Sequence, residues 1–306
     1  LMLKWFNIGY GDEVIIPSYT YSATALCVIS VGAKPVMVDV KDDFTIDPLK
    51  IRKSINSKTK AIIPVDIGGL PCDYKLINSI VNEKKIINKF ICNGAKQEKL
   101  GRVLVIGDAA HSIGAKYNKQ PIGKATDISI FSFHSVKNIT TGEGGAISLN
   151  LPKNFNHDEE FKFLKILSLN GQTKSAFQKN QVGSWKYDII EFGLKINMPD
   201  ICASIGLAQI KIYESKLLPE RKKIFQFYDK FFSDKKWAIT PISINTSSES
   251  SYHLYLLRIK NISEFQRDEM IETISSENVG VNVHYVPMPM LTAFKKMGYK
   301  INDYPN

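Results

Sequence analysis

Cysteine is scarce in this sequence of 306 residues. The four cysteines lie far apart and form no Cys-x-x-Cys pair: Cys27, Cys72, Cys92 and Cys202. This spacing argues against a zinc site and favours free thiols in a reducing cytoplasm. The sequence also lacks an apolar run of membrane-spanning length, and its first residues lack the apolar core of a signal peptide. We therefore predict a cytoplasmic protein with no membrane span and no metal.

A concentrated block of positive charge is also missing, although the chain is basic. The 40 lysines and arginines outnumber the 30 aspartates and glutamates and give a net charge of +10, but the lysines are scattered. Nucleic-acid binding would require one basic face interleaved with aromatic residues, and the sequence has no such stripe. The charge therefore fits anionic small ligands, such as phosphate esters, better than nucleic acid.

Short apolar runs alternate with helical patterns along the first part of the chain. The runs GDEVIIP (11–17), GAKPVMVD (32–39) and TKAIIPV (59–65) predict strands, and the segments between them predict helices. This alternation, with short connections, is typical of a mainly parallel sheet that helices cover on both faces. A charged stretch from Lys84 to Arg102 interrupts the alternation and predicts a surface insertion.

The end of the chain predicts a second, smaller unit. A strand at Tyr252–Ile259, a helix at Glu264–Ser275 and a strand at Val279–Val286 form a β-α-β pattern. A chain of this length can form two domains. We therefore divide it into a large domain (residues 1–218) and a smaller α+β domain (residues 219–306).

Two charged residues follow two predicted buried strands. Lys137 comes after the apolar run 128–133, and Asp108 comes directly after the run 103–106, with small residues behind it. Parallel strands deliver such residues to one edge of a sheet. A lysine amine and a carboxylate together suit pyridoxal phosphate (PLP), because the amine forms a Schiff base and the carboxylate keeps the pyridine nitrogen protonated. A plain Asp–Lys ion pair, an Asp helix cap or a solvated surface lysine are the alternatives.

With these residues in view, the sequence resembles the sugar-nucleotide aminotransferases of the DegT/StrS type, which are fold-type I PLP enzymes. The resemblance runs through most of the chain, in the order GDEVIIPSYTYSATA (11–25), GAKPVMVDV (32–40), KTKAIIPV with GLPCD (58–73), DAAHSIGAKY (108–117), DISIFSFHSVKN with the EGG turn (127–145), NMPDICASIGL (197–207) and VHYVP (283–287). It implies an α/β fold with a mainly parallel sheet in the large domain and a smaller α+β C-terminal domain.

The resemblance also implies roles around the cofactor. Lys137 resembles the Schiff-base lysine that also moves the proton, and Asp108 the partner of the pyridine nitrogen. His111 would lie near the phenolic oxygen of the ring, Tyr21 would stack on the cofactor, and Ser132 would bind its phosphate.

The resemblance also implies residues that would contact the substrate and a second subunit. Lys195 matches a residue that reaches the phosphate in the neighbouring subunit, which implies a homodimer with shared active sites. His284 and Tyr285 would lie near the sugar pocket. His134 and His253 are predicted to be structural, because neither has a partner nearby in the sequence.

The function implied is PLP-dependent transfer of an amino group, from glutamate, to a keto group of a nucleotide-linked sugar in cell-surface polysaccharide or related amino-sugar biosynthesis. A keto-sugar dehydratase relative is disfavoured because a histidine replaces the lysine there; a catalytically silent binding module is the other alternative. Gly107 departs from the family pattern, which usually has an acid there. The family's phosphate-binding segment before residue 11 and its last helices have no counterpart, so we expect a fragment with weak cofactor retention.

Overall fold

Six strands form the central sheet. Their order across the sheet is Lys34–Val38, Glu13–Pro17, Thr59–Ile62, Leu104–Asp108, Ile128–Ser132 and Gly145–Leu149. The computed structural model describes residues 1–174, 176–180 and 185–306. The strands are β1 Glu13–Pro17, β2 Lys34–Val38, β3 Thr59–Ile62, β4 Leu104–Asp108, β5 Lys116–Tyr117, β6 Gln120–Pro121, β7 Ile128–Ser132, β8 Gly145–Leu149, β9 Ala238–Ile239, β10 Ser248–Glu249 and β11 Arg258–Ile259. The helices are α1 Met2–Trp5, α2 Ala23–Ser30, α3 Pro48–Ser54, α4 Tyr74–Val81, α5 Lys84–Ile87, α6 Ala95–Leu100, α7 His157–Leu167, α8 Ala176–Lys179, α9 Asp200–Ile212, α10 Leu218–Phe232, α11 Glu264–Ser276 and α12 Thr292–Lys296.

The predicted parallel sheet is confirmed. Strands β1, β2, β3, β4 and β7 run parallel, and only the edge strand β8 is antiparallel to its neighbour. Both faces of the sheet are buried, because side chains alternate between two hydrophobic clusters. Val14 and Ile16 belong to one cluster, whereas Ile15 belongs to the other. Burial on both faces explains why the strands read as unbroken apolar runs in the sequence.

Side-chain caps fix the starts of the helices that cover one of these faces. Asp47 accepts a hydrogen bond from the Leu49 amide at the start of α3, and Asp73 accepts one from the Leu76 amide at the start of α4. The stretch from Lys84 to Arg102 carries two short helices. It is anchored as well as exposed, since the buried Gln97 donates to the Phe6 carbonyl (2.8 Å).

The end of the chain differs from the prediction. The helix at 264–275 is confirmed as α11, but only Arg258–Ile259 of the predicted strand 252–259 pairs with another strand, namely β9. Residues 279–286 form no strand among the described residues. The apolar pattern predicted these strands wrongly, because an apolar segment forms a strand only where another strand offers an unpaired edge. Helices α9 and α10 follow each other in the chain and are joined by a π-helical turn at Tyr213–Leu217.

The last residues pack against the first sheet. Met288 and Phe294 belong to the same hydrophobic cluster as Val14, and the Met288 amide donates to the Ser18 carbonyl (3.0 Å). The division into domains at residue 218 stays a prediction, with this C-terminal segment in contact with the large unit. Among the described residues, no helix has both the length and the apolar character needed to cross a membrane.

The ion pair between Arg102 and Asp127 secures the amino ends of β4 and β7. Two guanidinium nitrogens of Arg102 each lie 2.8 Å from Asp127, which also accepts the Val105 amide at 2.9 Å. We expect Asp127→Ala to lower the free energy of unfolding by about 3 kcal/mol, because it leaves a largely buried arginine unpaired. Urea titration measures this loss. Asp268→Ala removes one of the two acidic partners of Arg267 on exposed α11 and should cost much less; equal losses would contradict the argument.

Candidate active site

The candidate site lies at the carboxyl edge of the parallel sheet. Asp108 is the last residue of β4 and Ser132 is the last residue of β7. The two strands are neighbours, with Asp108 in register with Ile130. Lys137 follows in the turn after β7, where its amide donates to the His134 carbonyl (3.0 Å). The topology therefore brings Asp108, Ser132 and Lys137 to one edge, as the sequence predicted.

The carboxylate of Asp108 is held by two donors. The hydroxyl of Thr24, in the first turn of α2, donates to Oδ2 (2.9 Å), and the Ala110 amide donates to Oδ1 (3.2 Å). Burial raises the pKa of Asp108, whereas these two hydrogen bonds and the charge of Lys137 oppose the rise. The bonds orient the carboxylate and favour its ionised form.

The amine of Lys137 is close to several site residues. Burial lowers the pKa of Lys137, and the charge of Asp108 raises it. Burial is also the main reason why the pKa values of His111, His253 and His284 lie below the ordinary value, and the charge of Lys137 lowers each of them further. A lysine with a lowered pKa releases its proton more readily, which a nucleophilic amine requires.

The tautomer of His111 follows from its two partners. The Gly68 amide lies 3.2 Å from Nδ1, and the Tyr285 hydroxyl lies 3.1 Å from Nε2. A backbone N–H can only donate, so Nδ1 is unprotonated and the neutral ring carries its proton on Nε2. Nε2 therefore donates to the Tyr285 oxygen, which leaves the phenolic proton of Tyr285 available to another acceptor. The predicted position of His111 beside the phenolic oxygen of the cofactor stays a prediction.

Tyr285 and Tyr21 surround His111 with aromatic surface. The Tyr285 ring lies 6.2 Å from the His111 ring and 5.9 Å from the ring of Tyr21, which is 62% exposed. The Tyr19 hydroxyl fixes the segment that carries Tyr285: it accepts the Tyr285 amide (2.6 Å) and donates to the His284 carbonyl. Tyr21, His284 and Tyr285 are thus gathered around the edge where Asp108 and Lys137 lie.

Ser132 and Lys195 differ in how closely they join this group. The Ser132 hydroxyl accepts the His134 amide (3.3 Å), so its own proton remains available to an anionic ligand. Lys195 is exposed and contacts Asn197, and among the described residues no hydrogen bond or ion pair joins it to Asp108 or Lys137. Its predicted role concerns a second subunit and stays a prediction.

His253 is in the site, although the sequence analysis predicted a structural role for it. Its ring lies 4.4 Å from the His111 ring, and its Nδ1 lies 2.8 Å from Oδ1 of the buried Asn138. The Asn138 amide nitrogen donates to the Ser251 carbonyl (2.9 Å), so its oxygen faces His253 and the His253 proton is on Nδ1. Burial lowers the pKa of His253 to about 3, with the charge of Lys137 acting in the same direction. The ring is therefore neutral.

Sequence reasoning missed three residues here: Thr24, Asn138 and His253. Asn138 adjoins Lys137 in the sequence, which is the one local signal. His253 lies over a hundred residues away from its partner Asn138 in the sequence. Its position is fixed by the backbone amides of His253 and Leu254, which donate to the Gly68 carbonyl (3.2 and 3.1 Å). Such a contact between distant segments leaves no periodic trace in the sequence.

These groups fit pyridoxal phosphate. The cofactor needs an amine for covalent attachment, a carboxylate at its ring nitrogen, a flat surface and a donor for its phosphate. Lys137, Asp108, the exposed ring of Tyr21 and the Ser132 hydroxyl supply these at one edge of a parallel sheet. Fold and site together define a PLP-dependent enzyme of fold type I.

The chain belongs to the DegT/DnrJ/EryC1/StrS aminotransferase family, whose model matches residues 1–306. It is an aminotransferase, and its cofactor is pyridoxal phosphate. The resemblance found in the sequence is thereby confirmed.

Several relatives are similar over nearly the whole chain. The spore coat polysaccharide biosynthesis protein SpsC of Bacillus subtilis is 33% identical over 100% of this chain and 74% of the relative. A UDP-4-amino-4,6-dideoxy-N-acetyl-beta-L-altrosamine transaminase of Campylobacter jejuni is 31% identical over 97% of this chain and 72% of the relative. Among solved structures, Spr1654 of Streptococcus pneumoniae, provisionally named a sugar aminotransferase, matches in its PLP form with a TM-score of 0.93 and 38% identity, over 99% of this chain and 74% of that one.

The hydrogen bond from Thr24 to Asp108 can be tested directly. Thr24→Val keeps the shape of the side chain but removes the hydroxyl, so we expect PLP to bind about tenfold more weakly, since a hydrogen bond to a charged group is worth about 1.5 kcal/mol. The pKa of Asp108 should rise, so the loss of binding on acidification should begin at a higher pH.

Titration of each variant with PLP, followed by absorbance over a series of pH values, measures both effects. Thr24→Ser keeps the hydroxyl and is the matched control. Valine and serine variants that bind alike would contradict a role for this hydrogen bond.

Proposed function

We propose that this aminotransferase moves an amino group from an amino acid, glutamate, to the keto group of a nucleotide-linked sugar in polysaccharide biosynthesis. The observation that carries the proposal is the placement of Lys137 and Asp108 at the same carboxyl edge of the sheet. The relatives named above for UDP-sugar transamination and for spore coat polysaccharide biosynthesis support the substrate class. A net charge of +10 suits a substrate with two phosphates.

Each residue of the site has a task in this reaction. Bound PLP supplies an electron sink that accepts the amino group from the donor and passes it to the keto sugar. The Asp108 carboxylate holds a proton at the ring nitrogen. Lys137 Nζ would anchor the cofactor and, when released, would move a proton between the carbon that bears the amino group and the C4′ carbon of the cofactor. The lowered pKa of Lys137 favours this exchange near neutral pH.

The aromatic residues suit the sugar side of the reaction. Because His111 donates to Tyr285, the phenolic proton of Tyr285 can be donated to a sugar oxygen. His284 is half-buried beside it and neutral, with a pKa lowered first by burial. We place the reaction in the cytoplasm, since all four cysteines are free thiols.

An absorbance spectrum tests the amino-transfer chemistry. With PLP added, the protein should show a band near the visible edge from the lysine-bound cofactor. Glutamate should remove this band, because the amino group passes to the cofactor and frees Lys137. Addition of a UDP-linked keto sugar should restore the band in a single turnover, and a keto acid unrelated to sugars should serve as the comparison substrate.

Two lysine variants sharpen this measurement. Lys137→Ala should abolish the band, whereas Lys124→Ala, which removes an exposed lysine near the sheet, should keep it. A band that glutamate removes but no keto sugar restores would contradict the sugar substrate. No band in the unaltered chain would contradict the enzyme and leave a binding module of the same fold.

We further propose that the enzyme is a homodimer in which Lys195 reaches the cofactor phosphate of the other subunit. Exposed apolar side chains close to Lys195 in the sequence support this: Phe192 is 84% exposed, Ile201 78% and Trp185 69%. Exposed apolar area of this extent is typical of an interaction surface. An isologous dimer would bury it on both subunits.

Complementation between two inactive variants tests the shared site. Lys137→Ala loses the amine and Lys195→Ala loses the phosphate contact, so each homodimer should be impaired. In a mixed dimer, one site combines both changes and the other has neither, so mixing after denaturation and refolding should restore PLP-dependent turnover. If Lys195 acts within its own subunit, no mixed dimer contains an intact site and mixing restores nothing. Light scattering measures the mass in parallel.

A further inference from the structure

Asp66 is a fully buried carboxylate directly behind the site. Its relative exposure is 0%, and three donors converge on it. The Tyr74 hydroxyl (2.6 Å) and the Cys72 amide (2.9 Å) donate to Oδ1, and the Ser112 hydroxyl (2.7 Å) donates to Oδ2. No ion pair to Asp66 occurs within residues 1–174, 176–180 and 185–306. The carboxylate is therefore stabilised by hydrogen bonds alone.

Asp66 is linked to Asp108 through both backbone and side chain. The Asp66 amide donates to the Asp108 carbonyl (3.1 Å), and the Asp108 amide donates to the Pro64 carbonyl (2.8 Å). Ser112 lies in the turn that follows Asp108 and includes His111, and its amide donates to the Ala109 carbonyl (3.0 Å). The bond from Ser112 to Asp66 thus fixes the far end of the turn that carries Asp108 and His111.

The charges of the two aspartates are coupled. Burial raises the pKa of Asp66 to about 6, the hydrogen bonds from Tyr74, Ser112 and Cys72 oppose the rise, and the charge of Asp108 adds to it. Gly107 gives the Tyr74 hydroxyl room, because a Cβ at position 107 would lie 3.2 Å from that oxygen. Asp108, Tyr74 and Cys72 interact electrostatically with Asp66, and His111, which is neutral, adjoins Ser112 in the same turn.

We propose that Asp66 is a positioning residue of the active site, which holds the Ser112 turn in place behind Asp108. It touches neither substrate nor cofactor and acts through Asp108 and His111. The inference rests on the assignment of Asp108 as the partner of the PLP ring nitrogen.

The hydrogen-bond pattern allows the charge to be removed without loss of any bond. In Asp66→Asn, the amide oxygen can accept from Tyr74 and Cys72, and the amide nitrogen can donate to the Ser112 oxygen, whose hydroxyl rotates. In Asp66→Ala, all three donors lose their buried partner. The two variants therefore separate the charge of Asp66 from its hold on the turn.

PLP titration of the folded variants is the first measurement. We expect Asp66→Ala to bind PLP about tenfold more weakly, as loss of a hydrogen bond to a charged group predicts, and Ser112→Ala to weaken binding in the same direction. Asp66→Asn should retain affinity near neutral pH, because it can keep all three hydrogen bonds. Asp127→Asn, at the opposite end of the same strands, is the control and should leave affinity unchanged.

Unfolding of the PLP-free protein gives a second readout that does not depend on activity. The pKa of Asp66 in the folded chain, about 6, exceeds its ordinary value of 3.8, so its stabilising effect is present at low pH and is lost as the pH rises through about 6. Between about pH 4 and about pH 6, the free energy of unfolding of the unaltered chain should therefore fall relative to that of Asp66→Asn. Above about pH 6 the difference should stay constant. Urea titration at several pH values measures this difference.

Three outcomes would overturn the proposal. Asp66→Ala could lose stability while its folded fraction binds PLP normally, which would make the role merely structural. Asp66→Asn could bind PLP as weakly as Asp66→Ala, although it can keep the hydrogen bonds, which would remove the argument from those bonds. The difference in free energy of unfolding between the unaltered chain and Asp66→Asn could also be constant from about pH 4 to pH 7, which would show that Asp66 does not titrate there. Absence of the lysine-bound band in the unaltered chain would instead contradict the proposed function.

Discussion

The pairing of β4 with β7 inside a sheet that is buried on both faces is the constraint on which the site depends. It places the end of one strand, Asp108, beside the segment that leads to Lys137. The register of these strands is fixed at their amino ends, where Asp127 accepts hydrogen bonds from Arg102 and from the Val105 amide. The carboxylate and the amine are thereby held at the same edge, with no ion pair between them among the described residues.

Burial at that edge also sets the protonation states. It raises the pKa of Asp108 and lowers those of Lys137, His111 and His253, so each charge there is opposed by desolvation. Directed hydrogen bonds then decide which groups stay charged. Thr24 and the Ala110 amide favour the ionised Asp108, whereas the Gly68 amide and Asn138 hold the two histidine rings in defined neutral tautomers.

A second aspartate lies behind the reacting groups. Asp108 is the last residue of β4, and Asp66 follows β3 in the chain. Asp66 has three donors and no cation, and it is tied to the same turn as His111 through Ser112. A buried carboxylate of this kind is costly unless its bonds are complete. Its presence next to Asp108 is consistent with a site in which positioning matters as much as contact.

The sequence by itself determined the alternation of strands and helices in the first 150 residues, the family, and the residues Asp108 and Lys137. These features are local, since apolar periodicity, caps such as Asp47 and strand ends are set by neighbours in the chain. Only the tertiary structure decided that residues 279–286 form no strand, that the His253 ring lies beside the His111 ring and that Asp66 lies behind Asp108. The physical reason is that strand pairing, ring contacts and desolvation depend on segments far apart in sequence, which meet only when the chain is packed.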